Sequence, residues 1–450
     1  MAILEYIVGL GPSVMLPVII FLFGLLVKAS PSTAFRSGLI VGIGFVGINL
    51  VIGLLVNSLG PAAKDMVNNL GVDLNIIDVG WPATSAISFG STVGALAIPI
   101  GLAVNMVMLF FGLTKTLNVD LWNLWHVAFT GALVSILTGS LAMGIVTAFV
   151  HTIIILVLAD LTAKHVQDYY GYPNISFPHG TSTPYYLIAL PMNKLFDAIP
   201  GVRNIKADPD TIQKRLGVFG EPMVLGLILG AFIGVLAGWN VQEVLLLGVQ
   251  MAAVMLLLPR VTAILMEGLM PISEAAGDLV KKRFPNRDLY IGMDSALAVG
   301  QPAVIASTLL LIPIVLGIAA FLPGNRVLPF ADLVTIPFII CLMVPVFRGN
   351  VFRTVVTGGV AIGLGLLIAT YISPIFTTAA MNAGFEFPQG TNQISSLVDG
   401  AVPTTAIMVF ASKLGYVGLL GIGLIFLVVA FYQKKKTAKL EAERKEEYSA

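Results

Sequence analysis

Cysteine is almost missing from this sequence: 450 residues contain one, Cys341. A lone cysteine excludes a disulfide framework, a cysteine metal cluster and a dithiol redox pair. It lies in the apolar run FIICLMVP, the setting of an inert, buried structural thiol. Charge is scarce too, at 11% of residues and a net +1, which excludes a basic nucleic-acid binder. The four histidines show no spacing like H-E-x-x-H, so no metal site is expected. The sequence has no P-loop, no G-x-S-x-G elbow and no H-R-D signature, so the chain does not hydrolyse a nucleotide. No catalytic residue, metal or cofactor is expected, and energy for any transport comes from an ion gradient or a partner protein.

Apolar residues are what the chain has in excess. They make up 57% of it, with a mean hydropathy of +0.94, the composition of an integral membrane protein. A spanning helix needs roughly 20 apolar residues. Windows 14–27, 38–56, 93–113, 141–158, 222–238, 302–322, 354–371 and 414–432 satisfy that rule. Shorter or polar-tipped windows bring the expected total to about eleven spans. The N-terminal MAILEYIVGLGPSVML lacks the basic flank of a cleavable signal and reads as the first span. The 46 glycines and 25 prolines suit closely packed, broken membrane helices. The expected fold is an all-α polytopic membrane protein.

Lysine and arginine mark the cytoplasmic side of a membrane protein. No basic residue precedes Lys28, which places the N-terminus outside; Lys28 and Arg36 put the first turn inside. The loop 58–78 returns outside and Lys115 is inside. Segment 161–216 carries Lys164, Lys194, Arg203, Lys206, Lys214 and Arg215 and is expected as a cytoplasmic connection. KKRFPNR (281–287), Arg348 and Arg353 fall inside; the stretch 373–400, free of basic residues, falls outside; KKKTAKLEAERKEE closes the chain inside.

The two halves resemble each other at a shift of about 210 residues, a symmetry on which transporters are often built. Gly139 and Thr147 in TGSLAMGIVT fall opposite Gly349 and Thr357 in RGNVFRTVVT, and Pro12 opposite Pro222. The polar stretch DVGWPATSAISFGST (78–92) precedes the helix VGALAIPIGLA, as IGMDSALAVGQP (291–302) precedes AVIASTLLLIPIVL. An amphipathic segment lies in front of each, 59–73 outside and 272–284 inside. The halves are therefore expected as two inverted repeats with re-entrant or broken segments, 1–160 and 217–374. Residues 161–216 would connect them, 375–433 would form an outer loop and the last span, and 434–450 a charged cytoplasmic tail.

Ionisable or polar groups within the bilayer are candidates for function. Glu221 in FGEP precedes Pro222 at a helix start and fits either a cap or a substrate contact. Asp294, with Gln301 nearby, offers donors and acceptors to hydroxyls from a stretch that dips into the membrane, and solute contact is the favoured reading there. Trp81, Thr84, Ser85 and Ser88 supply an aromatic face and several hydroxyls, although Trp81 equally fits an interfacial anchor. His126 in LWNLWHVAFTG opens a span, and His179 lies in the interrupted PHGTS segment. For His126, interfacial hydrogen bonding and solute contact both remain open. A proton- or sodium-coupled secondary transporter would use Asp294 or Glu221 as its titrating group.

Read in order, GLGPSVMLPVIIFLFG, IVGIGFVGINLVIGLL, DVGWP, NVDLWNLWHVAFTGAL, PHGTS, FGEP, AAVMLLLPRV, VLPFADL and GNVFRT carry a resemblance. The chain resembles the membrane (IIC) component of galactitol-type sugar phosphotransferase systems, from about residue 5 to about residue 430. What the resemblance implies is group translocation. Galactitol or a related polyol or sugar binds from outside, is carried inward, and is phosphorylated by a separate IIB protein bearing a phosphocysteine, itself recharged by IIA. Asp294, Glu221, His126 and His179 match polar positions of the family's motifs. The distantly similar ascorbate-type components imply a homodimer in the inner (cytoplasmic) membrane. The second broken stretch ends AVGQPAV, where galactitol components tend to carry a histidine, so Gln301 leaves another polyol or a hexose open.

Overall fold

The computed structural model describes residues 12–70, 74–118, 120, 123–205, 207, 221–283, 289–385 and 393–449. Outside them lie residues 1–11 of the expected first span, the basic pair at 214–215, the end of KKRFPNR, and loop residues 386–392. The chain is mostly helical. Helices α1 (Pro12–Leu26) and α2 (Pro31–Leu70) lead into strand β1 (Ile76–Asp78), a short α3 (Trp81–Phe89) and the long α4 (Thr92–Phe110). Next come β2 (Thr116–Asn118), α5 (Leu124–Thr138), α6 (Leu141–Tyr170), β3 (Ile175–Ser176) and α7 (Thr183–Ala198). The later half opens with α8 (Pro222–Leu236) and α9 (Val241–Arg283), then β4 (Tyr290–Gly292), α10 (Ala296–Val299) and α11 (Pro302–Phe321). It ends with β5 (Val327–Leu328), α12 (Ile336–Ile340), α13 (Val351–Asn382), β6 (Gln393–Ser395), α14 (Pro403–Ser412) and α15 (Gly415–Ser449).

Helix ends follow local chemistry. Ser91, Ser140 and Asn350 cap α4, α6 and α13 by accepting the backbone N–H of Gly94, Met143 and Arg353. Gly139 and Gly349, just before those last two caps, both take left-handed backbone, with φ of 65° and 80°. Among the described residues, five helices are long and apolar enough to cross a membrane: α4, α6, α11, α13 and Gly415–Lys436 of α15. Shorter apolar helices, among them α5 and α14, accompany them. The amphipathic segments expected at 59–73 and 272–284 are not separate elements, since 59–70 and 272–283 continue α2 and α9 as single long helices.

Helices α1, α2, α8 and α9 pack on one another. Lipid supplies no hydrophobic drive between helices, so close approach through small residues holds them. A Cβ on Gly38 of α2 would stand 2.5 Å from the Pro17 carbonyl oxygen of α1. At the matching place in the later half, a Cβ on Gly248 of α9 would stand 2.9 Å from the Leu227 carbonyl oxygen of α8. Gly24 against Ala34 and Gly234 against Val244 repeat the correspondence. So do the left-handed residues ending α1 and α8, Lys28 at φ 65° and Gly238 at φ 73°.

The remaining elements meet through two small, three-stranded parallel sheets. In one, β1 is central, pairing Ile76 with Val327 of β5 and with Gln393 of β6. In the other, β4 is central, pairing Thr116 of β2 with Tyr290 and Ile175 of β3 with Ile291. Each half thus gives its first strand to the middle of a sheet whose edges come from the other half. Both central strands run into an interrupted helix, α3–α4 after β1 and α10–α11 after β4.

Replacing Gly38 by valine forces α1 and α2 apart and is expected to destabilise the protein by ~1–3 kcal/mol, the usual cost of overpacking. Thermal unfolding in detergent checks this: G38V melts lower than wild type, while G53A, whose Cβ meets nothing within 4 Å, melts close to it.

Candidate functional site

Turns that follow short strands converge on the first turn of α5. His126 sits there, fully buried, beside Trp125 at 4.5 Å between ring centroids. The 177–182 segment after β3 brings the His179 ring to 4.3 Å from the His126 ring. This approach depends on Gly180, where any Cβ would collide with the His126 side chain. The 396–402 turn after β6 brings Asp399, whose Oδ2 lies 2.7 Å from His126 Nδ1. Thr181 donates its hydroxyl to the other Asp399 oxygen at 3.1 Å.

The turn after β4 adds Asp294, 4% exposed, with Oδ2 3.9 Å from His179 Nε2. Asp294 Oδ1 accepts the Ala296 N–H, and its own N–H donates to Asp120 at 3.2 Å. On its other ring nitrogen His179 meets the Ser182 hydroxyl at 3.2 Å, and Ser182 meets the Ser295 hydroxyl at 2.8 Å. Phe338 stacks on the His179 ring. The result is a buried constellation of two imidazoles, carboxylates and hydroxyls. His126 Nε2 lies within it with no hydrogen-bond partner among the described residues.

The structure thus brings together three of the site residues expected from sequence: His126, His179 and Asp294. Trp81 packs edge-on against Trp125 and donates its backbone N–H to Asp332. The hydroxyls of Thr84, Ser85 and Ser88 point to backbone carbonyls: Val398, Pro82, and both Thr84 and Trp125, respectively. In this state they tie α3 to its surroundings. Gln301 is half-buried and donates to the Tyr172 hydroxyl, which donates in turn to the Leu297 carbonyl. Glu221 is exposed at the head of α8, on the body formed by α1, α2, α8 and α9. Segment 161–216, expected as a cytoplasmic connection, contributes His179, Thr181 and Ser182 to the interior. Asp399, Thr181, Ser182, Ser295 and Asp120 were not anticipated.

A cavity of about 560 Å³ opens where the α3–α4 break meets the α5–α6 turn and the end of α13. Ser91, Thr92, Ser135 and Asn382 give it polar walls, and Ile87 and Ala132 apolar ones. Ala132 stands six residues beyond His126, about 9 Å along the α5 axis at 1.5 Å per residue.

Interrupted helices closing around a buried polar constellation define a membrane carrier of a polar solute. The chain belongs to the family described as PTS system sugar-specific permease component (EIIC-GAT), whose sequence model matches residues 6–390. It is 41% identical to the galactitol-specific EIIC component of the PTS system from Escherichia coli K12, over 431 residues, 95% of each chain. It is 39% identical over 439 residues to a putative permease IIC component of the same strain, covering 97% of this chain and all of the relative.

Two substitutions test the constellation. Gly180→Ala displaces the His126 ring and Asp294→Asn removes the carboxylate that faces His179; each is expected to lower solute uptake about tenfold or more, since leaving a buried polar group unmatched costs ~1–3 kcal/mol. Both proteins remain in the membrane by immunoblot. Glu221→Gln, at an exposed position, lowers uptake less than Asp294→Asn does.

Proposed function

We propose that this permease component carries galactitol, or a polyol or sugar closely similar to it, across the inner membrane for phosphorylation by a separate IIB protein. The observation that carries this reading is the pair of histidines in edge-to-face contact, His126 and His179, buried with Asp294, Ser182 and Ser295 where turns from both halves converge. Buried donors and acceptors set side by side are the chemistry that recognises a chain of hydroxyls, because each unpaired buried polar group penalises a solute that cannot match it. The 41% identity to the galactitol-specific relative supports the same solute.

Transport in this reading is group translocation. IIB presents a phosphocysteine at the cytoplasmic face and is recharged by IIA. The chain comprises two inverted repeats with about eleven spans by the length rule, N-terminus outside and C-terminus inside. The exchanged sheets, the paired contacts Gly38–Pro17 and Gly248–Leu227, and the distribution of Lys and Arg support this arrangement. A homodimer is proposed on the resemblance to ascorbate-type components. Glu221 and Gln301 belong, in this proposal, to the path and the mouth of the site, with Trp81, Thr84, Ser85 and Ser88 forming its wall.

Uptake of labelled galactitol into cells, with and without the cognate IIB, tests the proposal. Phosphorylated internal label that requires IIB is the expected result. Free internal label that collapses with an uncoupler would establish an ion-coupled transporter instead.

A further inference from the structure

The shortest polar contact between side chains in the buried constellation joins His126 to Asp399, a residue that the sequence pattern does not mark. His126 Nδ1 and Asp399 Oδ2 are 2.7 Å apart, with both side chains at most 2% exposed. A carboxylate at that distance fixes an imidazole's orientation and holds the proton on the nitrogen facing it. Thr181 donates to the second Asp399 oxygen, so the carboxyl is held between Thr181 and His126. The first turn of α5, where His126 sits, is the positive end of a helix and favours a negative neighbour. With its proton on Nδ1, neutral His126 presents a bare lone pair at Nε2. That nitrogen is buried and has no partner among the described residues. An unpaired buried acceptor is costly, and such a group marks a place where something else completes the hydrogen bond.

The backbone adds an independent sign. Asp399 takes left-handed backbone, with φ 55°, a region that non-glycine residues occupy uncommonly. Strain retained for one side chain points to a need for that side chain. His151 on α6 interacts electrostatically with both Asp399 and His126, and both its ring nitrogens are buried without a partner among the described residues.

We infer that Asp399 is a positioning residue of the solute site: it holds the His126 proton on Nδ1, so that Nε2 accepts a hydrogen bond and selects a solute hydroxyl that donates there. The inference rests on the proposed polyol site and adds its polarity at one point. A hydroxyl replaced by hydrogen or by fluorine cannot donate, so both replacements fail at that position. Elsewhere fluorine, which still accepts, is better tolerated than hydrogen.

The experiment displaces labelled galactitol from the purified full-length protein with analogues carrying hydrogen or fluorine in place of each hydroxyl in turn. In wild type, one position is expected at which both analogues bind at least roughly tenfold more weakly than galactitol. Asp399→Asn offers an amide that can donate to Nδ1 and release a proton to Nε2. In that variant the preference for hydroxyl over fluorine at the same position falls below about threefold, while the ranking at other positions is kept. Asp399→Glu retains the preference. Fluorine tolerated at every position in wild type, or a full preference surviving in Asp399→Asn, overturns the inference. A variant that does not fold leaves the wild-type series decisive. If galactitol does not bind wild type at all, the solute assignment fails. The pair is then read from 15N resonances of the histidine rings, with His126→Gln assigning the signal; a protonated Nε2 overturns the inference and a bare one sustains it.

Discussion

A break in a membrane helix leaves backbone N–H and C=O groups that hydrocarbon cannot satisfy, and the architecture of this protein follows from how those groups are paired. Each interruption is preceded by a strand lying between two strands from the other half of the chain. Where strand pairing ends, buried aspartates take over. Asp78 accepts the N–H groups of Gly80, Phe330 and Asp332. Asp332 accepts those of Trp81 and Val398 and the Ser396 hydroxyl. Each of these carboxyl groups satisfies several donors at once, using both of its oxygens.

The same constraint explains why the site lies where it does. Around β1, carboxylates and backbone donors match closely, and the cluster is structural. Around β4 the match is looser: Asp120 accepts the Asp294 N–H much as Asp332 accepts that of Trp81, but Asp294 Oδ2 faces His179 at 3.9 Å. One arrangement used twice thus yields a closed cluster and an open one. Polar groups already needed to terminate broken helices become, with slightly different partners, groups that can meet a hydroxylated solute. The Gly180 contact carries this to the second histidine, since the 177–182 backbone lies directly against the His126 ring.

Much of the fold was legible in the sequence because composition and spacing act locally. The apolar windows, Pro12 and Pro222 opening α1 and α8, and Gly139 and Gly349 at matching helix ends each follow from rules about single segments. His126, His179 and Asp294 were legible for the same reason, as ionisable residues in otherwise apolar or interrupted stretches. The length rule was less informative about long helices: α2 and α9 run through the amphipathic stretches that composition separates from the spans. Long-range partners were not legible. Asp399 lies 273 positions from His126 in a stretch that charge alone assigns to an outer loop. Nothing in the local pattern around Ser88 shows that its hydroxyl is taken by the Trp125 carbonyl.

Cys341 shows how burial limits the chemistry of this chain. It lies in the turn after α12, fully buried, its thiol 3.5 Å from the Phe338 carbonyl while Tyr170 donates to its own carbonyl. A thiol that carries a phosphoryl group must ionise and be reached, which requires an exposed, electropositive setting. Cys341 has the opposite setting, fully buried, with the Ser182 and Ser295 hydroxyls and the Asp294 carboxyl near its thiol rather than a positive group. Phe338, one turn before it, stacks on His179, so a bulky anion placed on the thiol would disrupt the site it adjoins. In the proposed function the constellation holds a neutral, hydroxyl-bearing solute by matched hydrogen bonds, and the charged phosphoryl group then has to reach that solute from a group other than Cys341.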